Sequence, residues 1–219
     1  MGGEGGVVDK WIRRSVVAGV ALAMIVVGAQ PAAAQNLEQY DYSNLGLRGI
    51  GAEILWVDAT QNESAVGFGA KLDLGFLGPG LRVVPRFGYW KADVDASRVT
   101  ELETQLEEVS ELEPGSINLG QIQRSAYVLG ADFEYIASVS RFQPYVGAGL
   151  DIYALNDDGA AIKGTFLDDL VITAGVSGVA GLQVALSPSW NAYGEFRATA
   201  VTDASSLGAA FGLFYMFGP

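Results

Sequence analysis

Eleven charged residues recur at alternate positions within stretches of the sequence that are otherwise rich in apolar residues and glycine. Six are acidic and five are basic, so their charges nearly balance. Packed together, these side chains would form buried ion pairs, because an unpaired buried charge is very costly. Pairs that exchange partners would instead gate a selective pore. The eleven residues are Glu53, Lys71, Asp73, Arg82, Arg86, Arg124, Asp132, Glu134, Asp151, Glu195 and Arg197.

The residues that most often carry out catalysis are missing from the sequence. It contains no His and no Cys, and no Ser lies in a recognisable nucleophile motif. Two carboxylate-rich runs, residues 156–159 and Asp168–Asp169, are expected in one external loop. They lack the spacing of an EF-hand, so we interpret them as solvated loop charge rather than a Ca²⁺ or Mg²⁺ site. We therefore expect a protein that is not an enzyme and that has no cofactor and no metal.

The segment 92–120 predicts a helix. Val99, Leu102, Leu106 and Val109 recur every three or four residues and would form one apolar stripe. The remaining faces are strongly acidic. They predict a helix on an external loop of the β-barrel that the strand pattern below predicts, where it would contact a partner or cover the barrel mouth. The alternative is a solvated helix whose apolar stripe packs on the rim of its own barrel. The candidate contact residues are Glu101, Glu103, Glu107, Glu108 and Glu111.

The stretch Ser64–Leu77 shows how the eleven charges would be positioned. From residue 66 to residue 76, even positions are apolar and odd positions are Gly, Lys or Asp. Successive side chains of a strand point to opposite faces, so this strand would be apolar on one face and charged or bare on the other. Its length suits an oblique crossing of a bilayer. The glycines on the charged face predict the interior of a narrow barrel.

The whole chain predicts eight such strands, an even number as in bacterial single-chain barrels. The polar face is assigned to the interior, whereas a soluble eight-stranded barrel would be apolar inside. Arg48 falls on the outer face, which is explained by a position at the membrane edge or by a bulge at residues 49–51. The predicted strands are residues 45–57, 64–77, 81–92, 122–137, 143–155, 170–186, 190–201 and 207–217.

The connections between these strands alternate in length. The second, fourth and sixth are short turns, whereas the other four are generally longer and more polar. Short periplasmic turns and long external loops give this alternation when both termini are periplasmic. Eight strands enclose an interior just wide enough for side chains to fill. We therefore expect the eleven charges to plug the barrel, with a gated pore as the alternative.

The first 34 residues predict a secretory signal peptide. Lys10, Arg13 and Arg14 precede an apolar run at residues 15–29, and small residues follow up to Ala34. We expect cleavage after Ala34, a periplasmic leader at residues 35–44 and a barrel domain at residues 45–219. Without residues 1–34 the net charge would be −13. Nucleic acid is not an expected partner, because its phosphates would be repelled.

Two sequence stretches and the last strand resemble a known family. RFQPYVGAGLDI, LSPSWNAYGEFR and a final strand ending in an aromatic residue are similar to the small OmpA/OmpX-type outer-membrane β-barrels. The resemblance covers residues 45–217. It implies an all-β, eight-stranded, antiparallel, up-and-down transmembrane barrel in the bacterial outer membrane, here with one helix between strands 3 and 4. Because the sequence stops after strand eight, we expect no peptidoglycan-binding domain.

These observations favour a non-enzymatic protein with a plugged, charge-paired lumen and acidic external loops. Its expected role is envelope integrity or surface interaction. The expected partners are outer-membrane lipids, lipopolysaccharide and an extracellular protein bound through the loops, and a monomer is expected. The alternative is a small passive channel, or a carrier of small or apolar solutes similar to OmpW-type barrels.

Overall fold

A computed structural model describes residues 44–137, 140–165, 170–201 and 205–217. Eight antiparallel strands follow one another around a closed barrel, and β1 pairs with β8 to complete it. The predicted fold is therefore confirmed. The predicted signal peptide and nearly all of the leader lie outside the described residues. The elements are β1 (Leu45–Ala59), β2 (Ala65–Gly78), β3 (Leu81–Asp93), α1 (Ala96–Val109), β4 (Gln123–Ile136), β5 (Phe142–Asp158), β6 (Val171–Ser187), β7 (Trp190–Val201) and β8 (Ser206–Met216).

The two ends of the barrel differ in their connections, as the sequence predicted. One end, called the turn end, is where β2 is joined to β3, β4 to β5 and β6 to β7. The other end, called the loop end, carries the connections from β1 to β2 (residues 60–64), from β3 to β4 (residues 94–122) and from β5 to β6. The longest connection contains α1. Within the described residues, no helix has the length and apolar character needed to cross a membrane.

Alternation along the strands separates an apolar outer surface from a polar interior. Ile54, Phe196 and Phe211 point outward and are 65–72 % exposed. The interior positions are buried, and several are glycines that leave room for charged side chains. A Cβ atom on Gly130 would collide with a carboxylate oxygen of Asp151, and glycines elsewhere on the interior face are crowded in the same way. The small residues on this face are therefore required by the width of the barrel.

Arg48 is exposed, near the turn end of β1. Its guanidinium group lies 5.4 Å from the centre of the Phe76 ring, and Nη2 donates to the carbonyl oxygen of Asn44 at 3.3 Å. The β1–β2 register shifts between Leu45 and Gly49, just before the predicted bulge.

One predicted boundary is wrong. Residues 156–158 were expected in an external loop, but they continue β5 to Asp158 and pair with residues 123–125 of β4. The physical reason is an ion pair: Arg124 Nε donates to Asp157 Oδ1 at 2.7 Å, and Nη2 donates to Oδ2 at 2.7 Å. This bidentate pair neutralises a carboxylate that looked like loop charge in the sequence. Asp168 and Asp169 lie outside the described residues.

Candidate functional site

Seven of the predicted charges form a continuous row of alternating sign across the lumen. Lys71 Nζ lies 3.5 Å from Glu53 and 2.5 Å from Glu195. From there the row passes through Arg197, Asp132 and Arg86 to Asp151. The nitrogen–oxygen distances are 3.1 Å for Glu195–Arg197, 2.6 Å for Arg197–Asp132, 3.8 Å for Asp132–Arg86 and 2.7 Å for Arg86–Asp151.

Three more predicted charges form a separate triad nearer the turn end. Arg82 lies between Asp73 and Glu134, with nitrogen–oxygen distances of 3.3 Å and 2.6 Å. Both Nε and Nη2 of Arg82 donate to Glu134 Oε2, at 3.0 Å and 2.6 Å. Each cation in the row and in the triad thus has two carboxylate neighbours. The ten side chains are at most 13 % exposed, so mutual attraction must offset a large desolvation cost.

Uncharged interior side chains complete these networks. The Tyr145 hydroxyl donates to Glu195 Oε2 and the Tyr193 hydroxyl donates to Glu53 Oε2, both at 2.7 Å. Lys71 Nζ also lies 4.9 Å from the centre of the Tyr193 ring. Sequence reasoning gave these tyrosines no role, although the alternation placed both on the interior face. Ser177 and Gln183 were missed in the same way: Arg197 donates to Ser177 and Arg82 donates to Gln183, both at 3.0 Å.

The charges occupy the middle of the lumen and the turn-end half, where two apolar clusters pack among them, and a third apolar cluster fills the loop-end half. Val84, Tyr193 and Phe214 form one buried cluster, and Ile136, Tyr145 and Val179 form a second. A third cluster fills the loop-end half of the barrel and contains Trp90, Val128, Tyr153, Leu155 and Val201. Arg124 is the one predicted lumen charge at the loop-end mouth, where it pairs with Asp157.

The helix α1 divides its acidic residues between two roles. Glu107 accepts hydrogen bonds from the backbone N–H groups of Ile117 at 2.8 Å and Gly115 at 3.0 Å. Glu103 accepts one from the N–H of Leu119 at 2.8 Å. These backbone donors hold the pKa of Glu107 below its usual range. The two carboxylates thus hold residues 115–119, which lead from α1 back to β4, in place.

The apolar stripe of α1 packs on its own protein. Val99 is buried in a cluster with Val94, Leu119, Ile122 and Ile162, and Leu102 and Leu106 pack against it. Val109 does not share this packing and is 85 % exposed. Glu101, Glu108 and Glu111 are exposed, and Glu101 pairs with Arg98 at 2.8 Å. Most of the apolar stripe therefore packs on the protein itself, as in the alternative interpretation of the helix. Three of the five candidate contact residues nevertheless face solvent.

The described residues contain no group of carboxylates arranged to hold a metal ion. The fold and the site define a transmembrane barrel with an apolar belt and a paired, buried charge network. The chain belongs to the family described as "Outer membrane protein beta-barrel domain", which matches residues 19–217. It is therefore a protein of the bacterial outer membrane.

The chain is similar to several solved structures. Neisserial surface protein A superimposes with a TM-score of 0.50 and 16 % identity, covering 77 % of this chain and 95 % of that one. Ail of Yersinia pestis, bound to the heparin analogue sucrose octasulfate, has a TM-score of 0.45 and 15 % identity, with coverages of 78 % and 97 %. OprG of Pseudomonas aeruginosa has a TM-score of 0.45 and 12 % identity, and the match covers 80 % of this chain and 98 % of that one. No curated protein sequence matches the chain.

Proposed function

We propose that this protein is a non-enzymatic outer-membrane barrel with a closed lumen, which acts through the surface of its loop end. The observation that carries the proposal is the filled interior. Ten charges are paired across the lumen, one apolar cluster packs among them, and another fills the loop-end half. A lumen packed in this way leaves the loops as the part of the molecule able to contact other molecules.

The loop-end surface that we assign to contact is the exposed side of α1 and its C-terminal turn. Glu108, Glu111 and Glu113 are exposed there beside two exposed apolar side chains, Val109 and Leu112. The hydrogen bonds of Glu103 and Glu107 and the buried Val99 hold this surface in a fixed position. A rigid surface binds with a smaller loss of conformational entropy than a mobile loop does. The proposed orientation places this end outside the cell, as long loops usually are.

Substitutions on α1 test this assignment. Bacteria carrying the full chain would be compared with bacteria carrying Glu108→Gln/Glu111→Gln, for adhesion to surfaces and for aggregation. We expect the double variant to fold normally and to lose a large part of either activity. The matched control is Glu101→Gln, which removes an exposed carboxylate that already pairs with Arg98. Equal adhesion and aggregation of these strains and of bacteria without the protein would contradict the assignment.

A small passive channel, or a carrier of small or apolar solutes, is the second candidate. The observation that favours it is the position of Asp132 between two guanidinium groups, 2.6 Å from Arg197 and 3.8 Å from Arg86. A shared carboxylate allows ion pairs to be exchanged without leaving a charge unpaired. Reproducible unitary currents that change when Arg86 is replaced by Ala would favour this candidate over a closed barrel.

A further inference from the structure

A half-enclosed cavity of about 40 Å³ lies between the charge row and the loop-end apolar cluster. Arg86, Glu195 and Arg197 contribute its polar lining. Its apolar lining includes Trp90, Val128 and Tyr153. The cavity therefore borders the network on the loop-end side. Its volume suits about three water molecules, since one water needs about 10–15 Å³ measured in this way.

Most of the unsatisfied polar atoms of the interior belong to one ion pair, and its arginine, Arg86, lines this cavity. Six buried side-chain atoms among the described residues have no hydrogen-bond partner, and four of them are Arg86 Nε and Nη2 and Asp151 Oδ1 and Oδ2. Arg86 Nη2 lies 2.7 Å from Asp151 Oδ1, but the pair is not aligned as a hydrogen bond. Buried polar groups left in this state are costly, so a partner is expected.

The charges around the cavity decide which partner fits. The row of seven begins and ends with a carboxylate and carries one excess negative charge, so an anion beside Arg86 would be repelled by Asp132, Asp151 and Glu195. A cation in the cavity would face two guanidinium groups, those of Arg86 and Arg197. Water is neutral, accepts from a guanidinium group and donates to a carboxylate. It is the small molecule that can hydrogen-bond to Arg86 without adding a charge to the network.

We propose that this cavity is a hydration site for two or three water molecules, which hydrogen-bond to Arg86, the member of the Arg86–Asp151 pair that lines it. The bound water supplies the hydrogen bonds that the direct Arg86–Asp151 contact does not make. The Arg86–Asp151 pair is therefore the part of the network whose hydrogen bonding is completed by water. The Lys71–Glu195 pair is bonded directly, with Lys71 Nζ donating to Glu195 Oε2.

A crystal structure that resolves ordered water tests the site directly in the unmodified protein. We expect two or three waters in the cavity, at least one of them within hydrogen-bond distance of Arg86 Nε or Nη2. An empty cavity, a chloride or sodium ion in it, or a side chain that has moved to fill it would overturn the proposal.

An isosteric pair of variants tests it in a second way. Ala210 lines the cavity and is 3 % exposed, so Ala210→Thr and Ala210→Val place the same volume into it with and without a hydroxyl. In a hydrated cavity, the Thr variant should unfold at a higher urea concentration than the Val variant. The control is Val179→Thr in the cluster with Ile136 and Tyr145, where Val179 is fully buried and we expect a clear fall in the urea midpoint. A higher midpoint for Ala210→Val than for Ala210→Thr would show that the cavity is dry.

Discussion

Lys71 and Glu195 are separated by 124 residues in the sequence, yet they form a direct ion pair of 2.5 Å in the middle of the barrel. Both side chains are 1 % exposed. The pair joins β2 to β7 across the lumen, and these strands are not neighbours in the sheet. A contact of this kind ties together two strands that β1 and β8 separate, and it occupies the path that a solute would follow.

Removing one partner of this pair should be strongly destabilising. We expect Lys71→Met to lower the free energy of unfolding by about 3–5 kcal/mol, because Glu53 and Glu195 would lose their shared cation. Urea titration of the refolded protein in lipid vesicles measures the effect. Arg98→Ala is the control, since the exposed Arg98–Glu101 pair should contribute less than about 1 kcal/mol.

The double variant Lys71→Met/Glu195→Gln refines this prediction. It removes the cation together with one of its carboxylates, so it should lose less stability than the sum of the two single variants. Additive losses would contradict a coupled network, and a loss for Lys71→Met no larger than that for Arg98→Ala would show that the pair contributes little.

Glycine positions offer a test of the network that leaves every charge in place. A Cβ atom on Gly181 would collide with Cζ of Tyr145 and lie 2.5 Å from its hydroxyl oxygen. We expect Gly181→Ala to displace this ring, to disrupt its hydrogen bond to Glu195 and to cost about 1–3 kcal/mol, as overpacking does.

Gly46→Ala is the matched control in β1, because nothing lies within 4 Å of its Cβ position. We expect it to leave the urea midpoint nearly unchanged or slightly raised. If both substitutions had the same effect, the contact between Gly181 and Tyr145 would not position the tyrosine.

Acid should loosen the segment that follows α1. The pKa of Glu107 is lowered in the folded protein by the N–H groups of Ile117 and Gly115. Its stabilising contribution is therefore complete above the ordinary Glu pKa of about 4.3 and is lost as the pH falls through the lowered value. Hydrogen exchange at the Ile117 amide should lose protection over this acidic range.

Two variants control for other effects of acid. Glu107→Gln should exchange faster at Ile117 even at neutral pH and should show little further change on acidification. Glu108→Gln removes an exposed carboxylate and should behave like the unmodified protein. An Ile117 amide with the same protection in all three proteins at every pH would contradict a role for the Glu107 carboxylate.

The barrel should not depend on α1. The β3–β4 ladder continues to the Asp93–Gln123 pair without any residue of the helix. Replacing residues 97–115 by a short Gly/Ser turn should leave folding intact and abolish contact with a partner. Heat-modifiable migration on a gel reports folding of the barrel. A shortened protein that fails to fold in detergent, while the full chain succeeds, would place α1 in the structural core.

The fold was predictable from the sequence because a strict alternation of two residues separates the faces of each strand. This rule also placed ten of the eleven charges in one lumen. The alternation could not predict which charges pair with each other, since the pairing of Lys71 with Glu195 depends on curvature and closure of the whole barrel. It also missed the continuation of β5, because Asp157 looks like loop charge until Arg124 is placed opposite it.

Prediction from the sequence was limited in the same way at α1, where the contacts join residues that are close in the sequence. Helical spacing predicted the apolar stripe correctly at Val99, Leu102 and Leu106. It could not separate Glu103 and Glu107 from the exposed acidic residues, because their roles depend on where residues 115–119 return.

Single-channel recording in planar bilayers tests the closed lumen most directly. The purified, refolded protein would be reconstituted at known density, and its folded state confirmed by heat-modifiable migration. A barrel closed by the charge network and its apolar clusters should show no unitary openings across the voltages that the bilayer tolerates. Reproducible unitary currents from the unmodified protein, altered in size or frequency by Arg86→Ala, would contradict this account.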